Sequence, residues 1–289
     1  MVMNYLIQLI CVMLSTALYT LLERKVLGYI QLRKGPNKPP GMIVPFADAI
    51  KLITKEKIYP STSNSMLFFS APLLLLLLPL ILWALFLAPS EYINFKYSVI
   101  AFICISSVNV YGTYMAGWSS NSKYSLLVQF RAVAQTISYE VSMMVIILHV
   151  LLIMNFYFQW LQIPMVMCQF MITLMFFISL LAETNRSPFD FTEGESELVS
   201  GFNTEYSSIN FVMIFLSEYM SILFMSYLIT IMFLSSNIVE MFILMGMIAF
   251  SYIWSRGTLP RLRYDQLMYL AWKTLLPTSL TSLLLFSCV

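Results

Sequence analysis

Residues 66–88 read MLFFSAPLLLLLLPLILWALFLA, a run of 23 residues without a charged side chain. A helix of about 20 apolar residues crosses a hydrocarbon core about 30 Å thick, so this run is long enough to span a membrane. Membrane-spanning strands alternate apolar and polar residues, whereas Leu73 to Leu78 is unbroken leucine. The run therefore predicts a membrane-spanning helix and argues against a barrel.

The rest of the chain has the same character. Hydrophobic residues make up 60% of the 289 residues and charged residues only 10%, whereas soluble domains carry about 25% charged residues. This leaves too little polar surface for water, so lipid is the expected solvent. We predict an all-α, polytopic integral membrane protein that forms one membrane domain over residues 1–289. Its eight predicted spans are residues 2–22, 66–88, 97–117, 132–153, 161–182, 209–235, 238–255 and 267–288.

Basic residues predict the orientation of the chain. All Lys and Arg except Lys96 lie in one set of connections or, for Lys273, within two helical turns of it. The positive-inside rule places this basic face in the cytoplasm or its organellar equivalent, and eight spans then put both termini on the opposite face. The set comprises residues 23–65, 118–131, 183–208 and 256–266.

The first of these connections contains a short amphipathic segment. Residues 45–55 read as a helix that Pro45 opens. Such a helix lies in the membrane interface, packs on the protein's own spans, or does both. Its apolar face holds Phe46, Ala49, Ile50 and Ile53, and its charged face holds Asp48, Lys51 and Lys55.

Two carboxylic acids lie deep inside predicted spans, Glu140 about eight residues into the fourth and Glu218 about nine residues into the sixth. Ionisable groups in lipid are costly, so each is a candidate for function, such as proton relay. Both spans enter from the basic face, and similar depth allows a shared polar pocket. The alternative is a neutral Glu that hydrogen-bonds a neighbouring helix.

The connection 183–208 is rich in acids and contains one base, Arg186. Phe189 and Phe191 interleave with these acids, which favours partial burial over a fully solvated acidic loop. Clustered carboxylates in low dielectric titrate as a coupled set, which suits proton exchange. The arginines of residues 256–266 either pair with these acids or serve only as orientation charges.

Other kinds of site have no sequence support. The four cysteines show no metal-ligand spacing, and we interpret them as small buried hydrophobes. His149 is interpreted as a packed or interfacial histidine. No Walker loop, dinucleotide fingerprint, zinc signature or Ser/His/Asp set is present.

Several segments together resemble one family, that of subunit 1 of mitochondrial NADH dehydrogenase. This is the membrane-heel subunit of respiratory complex I, homologous to the bacterial H subunit, and the resemblance covers essentially the whole chain. The segments are Glu23–Lys25, Gln31–Asn37, Ala47–Lys51, Arg131–Glu140, Ala182–Tyr206 and Pro260–Met268.

The resemblance implies an eight-span subunit that forms much of the ubiquinone chamber, where the peripheral arm meets the membrane arm. Ubiquinone would be the substrate, and this chain would carry no redox cofactor, since FMN and iron–sulfur clusters belong to partner subunits. The implied partners are quinone-site subunits of the peripheral arm, pumping subunits of the membrane arm and lipids, but no nucleic acid. The implied location is the mitochondrial inner membrane, with basic loops in the matrix and both termini in the intermembrane space.

The resemblance also assigns roles to residues by matching motifs. It implies neither a covalent catalytic residue nor a metal ligand. Residues that resemble the quinone chamber or its entrance are Glu23, Arg24, Arg33, Asp48, Phe215 and Arg256. Residues that resemble the acidic path toward the pumping subunits are Tyr139, Glu140, Glu183, Asp190, Glu193, Glu195, Glu197, Glu205 and Glu218.

Three other functions remain open at this point. A stand-alone carrier or channel also needs buried acids, but most carriers have two related halves and this chain shows no internal repeat. The homologous membrane subunit of a proton-pumping hydrogenase would differ in having no quinone. A structural anchor for the peripheral arm would tolerate acid-to-amide substitutions.

Overall fold

The computed structural model describes residues 2–33, 35, 41–86, 98–157, 169–190, 203, 205–234 and 238–287. All regular secondary structure in these ranges is helical, which confirms the predicted all-α fold. The helices are α1 (Val2–Ile30), α2 (Val44–Thr54), α3 (Ser65–Phe86), α4 (Ser98–Ser120), α5 (Lys123–Tyr157), α6 (Phe170–Glu183), α7 (Ser208–Ile229), α8 (Ile238–Thr258), α9 (Tyr264–Tyr269) and α10 (Leu276–Ser287).

Six helical segments in the described part of the chain are long and apolar enough to cross a membrane. They are Leu6–Ile30, Ser65–Leu85, Ser98–Ser120, Lys123–Ile153, Ser208–Leu234 and Val239–Thr258. The shorter helix α6 falls in the fifth predicted span, and residues 264–287, where the π-helical turn Leu270–Leu275 joins α9 to α10, fall in the eighth.

Two helices extend well past the predicted spans. Helix α1 continues beyond residue 22 to Ile30, and α5 starts at Lys123 rather than at residue 132. An α-helix pairs its own backbone groups, so it can continue from lipid into the polar connection without a new hydrogen-bonding partner. Apolar composition therefore predicts which part of a helix can lie in lipid, but it does not predict where the helix ends.

Helix α3 forms although Pro72 and Pro79 lie inside it. Spanning helices tolerate proline when neighbouring groups satisfy the freed carbonyls. Helix α4 packs closely on α3, since a Cβ atom added at Gly112 would lie 2.7 Å from Leu75 Cδ2. A small residue at this position lets the two helices approach, as is common between membrane helices.

The chain divides into two compact units. Unit 1 comprises residues 1–130 and 192–224, and unit 2 comprises residues 131–191 and 225–289. Helices α5 and α7 contribute to both. In unit 1, the ring of Phe68 lies in a buried cluster with Ala71, Leu75, Ala116, Tyr206 and Ile214.

Unit 2 is packed around α6 by aromatic contacts. Phe176 contacts Phe233, with ring centroids 5.4 Å apart, and Phe177 contacts Tyr252 on α8 at 5.2 Å. The hydroxyl of Thr278 on α10 also donates to Met175 Sδ at 3.1 Å. These contacts fix the two helices of the C-terminal region on α6.

The cysteines that the structure describes are not buried. Cys11 and Cys104 are exposed on α1 and α4, so the prediction of burial is wrong for these two. Cys168 and Cys288 lie outside the described residues. The physical reason is that a spanning helix turns apolar residues toward lipid or partner chains as readily as toward its own core.

Candidate functional site

A buried acid lies on α1 in unit 1. The side chain of Glu23 is only 5% exposed, and its Oε2 accepts a hydrogen bond of 2.6 Å from the hydroxyl of Tyr219 on α7. Tyr19 packs edge-on against the Tyr219 ring, with centroids 6.0 Å apart. A carboxyl group in apolar surroundings is costly unless it is hydrogen-bonded, so this contact fixes Glu23 in one orientation.

The next residue on α1 connects it to the short helix α2. Arg24 Nη1 lies 3.0 Å from Asp48 Oδ2, and both side chains remain partly exposed to the surroundings. On α2, Phe46, Ile50 and Ile53 are exposed. A cation–carboxylate pair therefore lies beside an apolar helix face that no described residue of the chain covers.

The remaining chamber candidates are placed differently. Arg33 Nε donates to Gln31 Oε1 at 2.8 Å and contacts none of the other candidates in the described ranges. Phe215 packs on Phe211, with centroids 4.3 Å apart, one turn of α7 before Tyr219. Arg256 lies in the last turn of α8 in unit 2 and is partly buried. Tyr219 was not predicted as a site residue, although its position directly after Glu218 could have indicated it.

In unit 2, two side chains of α5 hold the start of the acidic connection. Gln135 Nε2 donates to the carbonyl oxygens of Ala182 at 2.8 Å and Phe189 at 2.9 Å. The fully buried Tyr139 donates from its hydroxyl to the carbonyl oxygen of Leu267 at 3.0 Å, and its ring contacts Phe189 at 5.9 Å. Residues 182–189 are thereby fixed against α5.

Two acids lie together beside this framework. Glu140 follows Tyr139 on α5 and is 8% exposed. Glu183, the first residue after the predicted span 161–182, is partly exposed, but its Oε2 is buried and has no hydrogen-bond partner among the described residues. Burial raises the pKa of Glu183 to about 8, and the charge of Glu140 adds to the rise. The two carboxyl groups therefore influence each other's protonation.

A third acid of unit 2 forms an ion pair. Asp190 Oδ2 lies 3.6 Å from Arg261 Nη2, and only 5% of the Asp190 side chain is exposed. The backbone N–H of Leu262 donates to the carbonyl oxygen of Pro188 at 3.1 Å, which fixes the same two segments. Arg263 instead pairs with Asp265 at 3.1 Å on the surface. Of the two roles predicted for these arginines, pairing with the acids holds for Arg261.

The other path candidates lie in unit 1 or outside the described residues. Glu205 and Glu218 are partly buried in unit 1. Next to Glu205, Tyr206 stacks on Phe68 at 4.2 Å and donates to the carbonyl oxygen of Ala116 at 3.1 Å. Burial raises the pKa of Tyr206 to about 12, so it stays a neutral anchor for this end of the connection. Glu193, Glu195 and Glu197 lie outside the described residues.

His149 is a packed residue, as predicted. It is fully buried on α5, its Nε2 lies 3.0 Å from Gln169 Oε1, and its ring contacts Phe286 at 5.0 Å. These contacts occupy one nitrogen and one face of the ring. The histidine therefore joins α5 to the C-terminal helix.

Changing Tyr139 to Phe should destabilise unit 2 by about 1 kcal/mol, because the buried carbonyl oxygen of Leu267 loses the hydrogen bond that the Tyr139 hydroxyl donates. The measurement is the temperature at which the isolated complex loses activity. Tyr124→Phe is the matched control, since Tyr124 is 71% exposed. Equal midpoints for Tyr139→Phe and wild type would show that this hydrogen bond contributes nothing.

Comparison with known proteins identifies the family of this chain. The model of the NADH dehydrogenase family matches residues 3–287. NADH-ubiquinone oxidoreductase chain 1 of Aedes aegypti is 51% identical, over 98% of this chain and 96% of the relative. The same chain of Locusta migratoria is 49% identical over 99% and 94%, and that of Branchiostoma lanceolatum is 47% identical over 98% and 94%. These matches confirm the resemblance, and the chain belongs to the NADH dehydrogenase family.

Proposed function

We propose that this chain forms part of the ubiquinone-binding chamber of a proton-translocating NADH:ubiquinone oxidoreductase, and that its acids couple quinone reduction to proton transfer. Family membership makes it a multi-pass mitochondrial membrane subunit of that oxidoreductase, with other subunits of the complex as partners. The observation that carries the finer proposal is the pair of acids, Glu140 inside α5 next to the buried Tyr139 and Glu183 at the end of α6.

The surroundings of Glu23 suit a quinone. Ubiquinone has a polar head with two carbonyl oxygens and a long apolar tail, so its site needs apolar walls and a few fixed polar groups. Unit 1 offers the fixed Glu23–Tyr219 contact and the Arg24–Asp48 pair beside the exposed apolar face of α2. We assign Arg33, Phe215 and Arg256 to the same chamber on their motifs alone.

The proposed sequence of events begins when the quinone enters from the bilayer near residues 45–57. At the deep end of the chamber it takes two electrons, which an iron–sulfur cluster of a neighbouring subunit supplies, and two protons, and becomes a hydroquinone. The change in charge alters the protonation of the acids. Those acids are Glu140, Glu183 and Asp190 of unit 2, Glu205 and Glu218 of unit 1, and Glu193, Glu195 and Glu197.

The proposed orientation follows from the charge distribution. The basic connections 23–65, 118–131, 183–208 and 256–266 face the matrix, and both termini face the intermembrane space. This places the acidic connection on the side from which an oxidoreductase pump takes up protons. Arg256 in the last turn of α8 would then lie near the matrix side of the membrane.

Arg24→Gln should raise the KM for ubiquinone roughly two- to fivefold with little change in kcat, because α2 loses its ion pair with α1. The matched control is Arg263→Gln, which breaks an ion pair of similar length, with Asp265, on the surface. Steady-state kinetics with short-chain ubiquinone in the isolated complex measure both. An identical KM in both variants and wild type would contradict a role of this pair at the chamber entrance.

Inhibitor sensitivity separates the proposal from its rivals. The complex that contains this chain should reduce ubiquinone with electrons from NADH, and a quinone-site inhibitor such as rotenone should block that reduction. A chain that purifies alone would favour a carrier, and a complex that never reduces quinone would favour a hydrogenase subunit. A structural anchor would leave turnover intact in the acid-to-amide variants described in the Discussion.

A further inference from the structure

The C-terminal helical segment contains one charged residue within the eighth predicted span, Lys273. It lies in the π-helical turn Leu270–Leu275 and is exposed. A cation in an apolar spanning segment is costly unless it reaches water, lipid headgroups or a counter-ion. π-Helical turns interrupt spanning helices at functional positions more often than elsewhere. Lys273 in this position therefore needs water, a lipid headgroup or a counter-ion to offset the cost of its charge.

The side chain of Lys273 points toward the basic face. Helical side chains tilt toward the N-terminus of their helix, and this helical segment begins at Tyr264, within the basic connection 256–266. Accordingly, Lys273 Nζ lies 4.6 Å from the centroid of the Tyr269 ring, one turn closer to that face. The long apolar stem thus brings the ammonium group toward the level of the lipid headgroups.

Two exposed aromatic side chains lie close to Lys273 along the chain: Tyr269, whose ring contacts the ammonium group, and Trp272, which directly precedes Lys273. Tyr269 is 57% exposed and Trp272 is 52% exposed. The Trp272 Nε1–H donates to the hydroxyl of Ser138 on α5 at 3.3 Å, so its ring is held in place. Tyrosine and tryptophan are enriched where a membrane protein meets the headgroup region. The two aromatic residues therefore indicate that this part of the segment lies near the membrane–water boundary.

The charge of Lys273 is available to a partner. The nearby Arg261 and Arg263 pair with Asp190 and Asp265, at 3.6 Å and 3.1 Å. In the parts of the chain that the structure describes, Lys273 contacts the Tyr269 ring and forms no salt bridge. A ring face offsets only part of the cost of an unpaired ammonium group in apolar surroundings. A negatively charged group from outside the chain would supply the rest.

We propose that Lys273, Tyr269 and Trp272 bind the phosphate of an anionic phospholipid at the basic face of the membrane. The ammonium group pairs with the phosphate, and the aromatic rings contact the glycerol and the first carbons of the acyl chains. Basic sites among spanning helices on the matrix or cytoplasmic side bind such headgroups. A lipid fits better than a protein carboxylate because both aromatic side chains are exposed, as is typical of residues at headgroup level, and the Tyr269 ring lies beside the cation.

Photocrosslinking in the intact complex tests this site. The complex is placed in phosphatidylcholine nanodiscs that contain a small fraction of phosphatidylglycerol with a photoreactive group near the phosphate. Mass spectrometry then measures labelling of residues 264–287. We expect Lys273→Gln to lower this labelling about fivefold and Lys273→Arg to preserve it, since either cation pairs with phosphate. Lys123→Gln, which removes an exposed positive charge elsewhere, should leave it unchanged.

A comparison within the wild-type complex needs no variant. Photoreactive phosphatidylcholine, with the same reactive group, should label residues 264–287 several times less than the anionic probe. Equal labelling by the two probes, or unchanged labelling in Lys273→Gln, would overturn the proposal. Carbodiimide coupling of Lys273 to a carboxylate of a partner subunit would also overturn it, since the cation would then be paired with protein.

Discussion

Replacing Glu140 with Gln should lower quinone-coupled proton translocation at least about tenfold while the complex still assembles. Gln keeps the shape and hydrogen-bonding capacity of a protonated Glu but cannot release a proton. Glu140 is buried beside Glu183, where a lost titratable group cannot be replaced by bulk water. The measurement is proton uptake per ubiquinone reduced in reconstituted vesicles, and Glu218→Gln belongs to the same test.

The control for this experiment is Asp265→Asn, which removes an exposed carboxylate and should have no effect. The double variant Glu140→Gln/Glu183→Gln should be no worse than the poorer single variant, because the two acids act as one coupled unit. Full additivity would show that they act independently. Undiminished translocation in both Glu140→Gln and Glu218→Gln would rule out a relay role for these two residues.

Because the pKa of Glu183 is raised, we expect proton translocation through this pair of acids to depend on pH. Since its pKa is about 8, the carboxyl group is mostly protonated below that pH and ionised above it. If Glu183 donates a proton, translocation per quinone should fall as the pH rises through about 8. Glu183→Gln should remove that step from the pH profile, and a profile that keeps the step would assign the titration to another group.

Arg261→Gln should destabilise unit 2 by about 2 kcal/mol, the second large effect we expect. It removes the Arg261 cation from the Asp190 carboxylate, of which 5% is exposed. The value lies below the cost of breaking a fully buried pair because 31% of the Arg261 side chain is exposed and solvent screens the charge. The measurement is the thermal midpoint for loss of activity or dissociation of the complex.

The double variant Asp190→Asn/Arg261→Gln is the decisive control for this ion pair. A neutral amide at position 190 no longer needs a cation, so the double variant should be more stable than Arg261→Gln alone. Arg263→Gln breaks an exposed pair with Asp265 and should change the midpoint little. A double variant less stable than Arg261→Gln would mean that Asp190 depends on its other contacts and not on Arg261.

The sequence by itself determined the membrane class, the helical fold and the family. Apolar runs of spanning length admit few other folds, because lipid leaves backbone groups no partner outside the helix. The unbroken leucines of α3 and the turn residues around α2 are local signals, so both elements could be predicted. The acid-rich connection was recognisable as a site because carboxylates are rare in this chain and concentrated there.

Only the tertiary structure decided which polar groups meet. Tyr219 reaches Glu23 from 196 residues away, and Arg261 rather than Arg263 reaches Asp190. Residue type alone does not predict which of these side chains pair, because each pairing depends on which helix faces which neighbour. The same holds for the exposed Cys11, because a sequence shows that a residue is apolar but not whether it faces lipid or core. In a membrane, both environments favour the same side chains, so composition separates them poorly and packing alone decides.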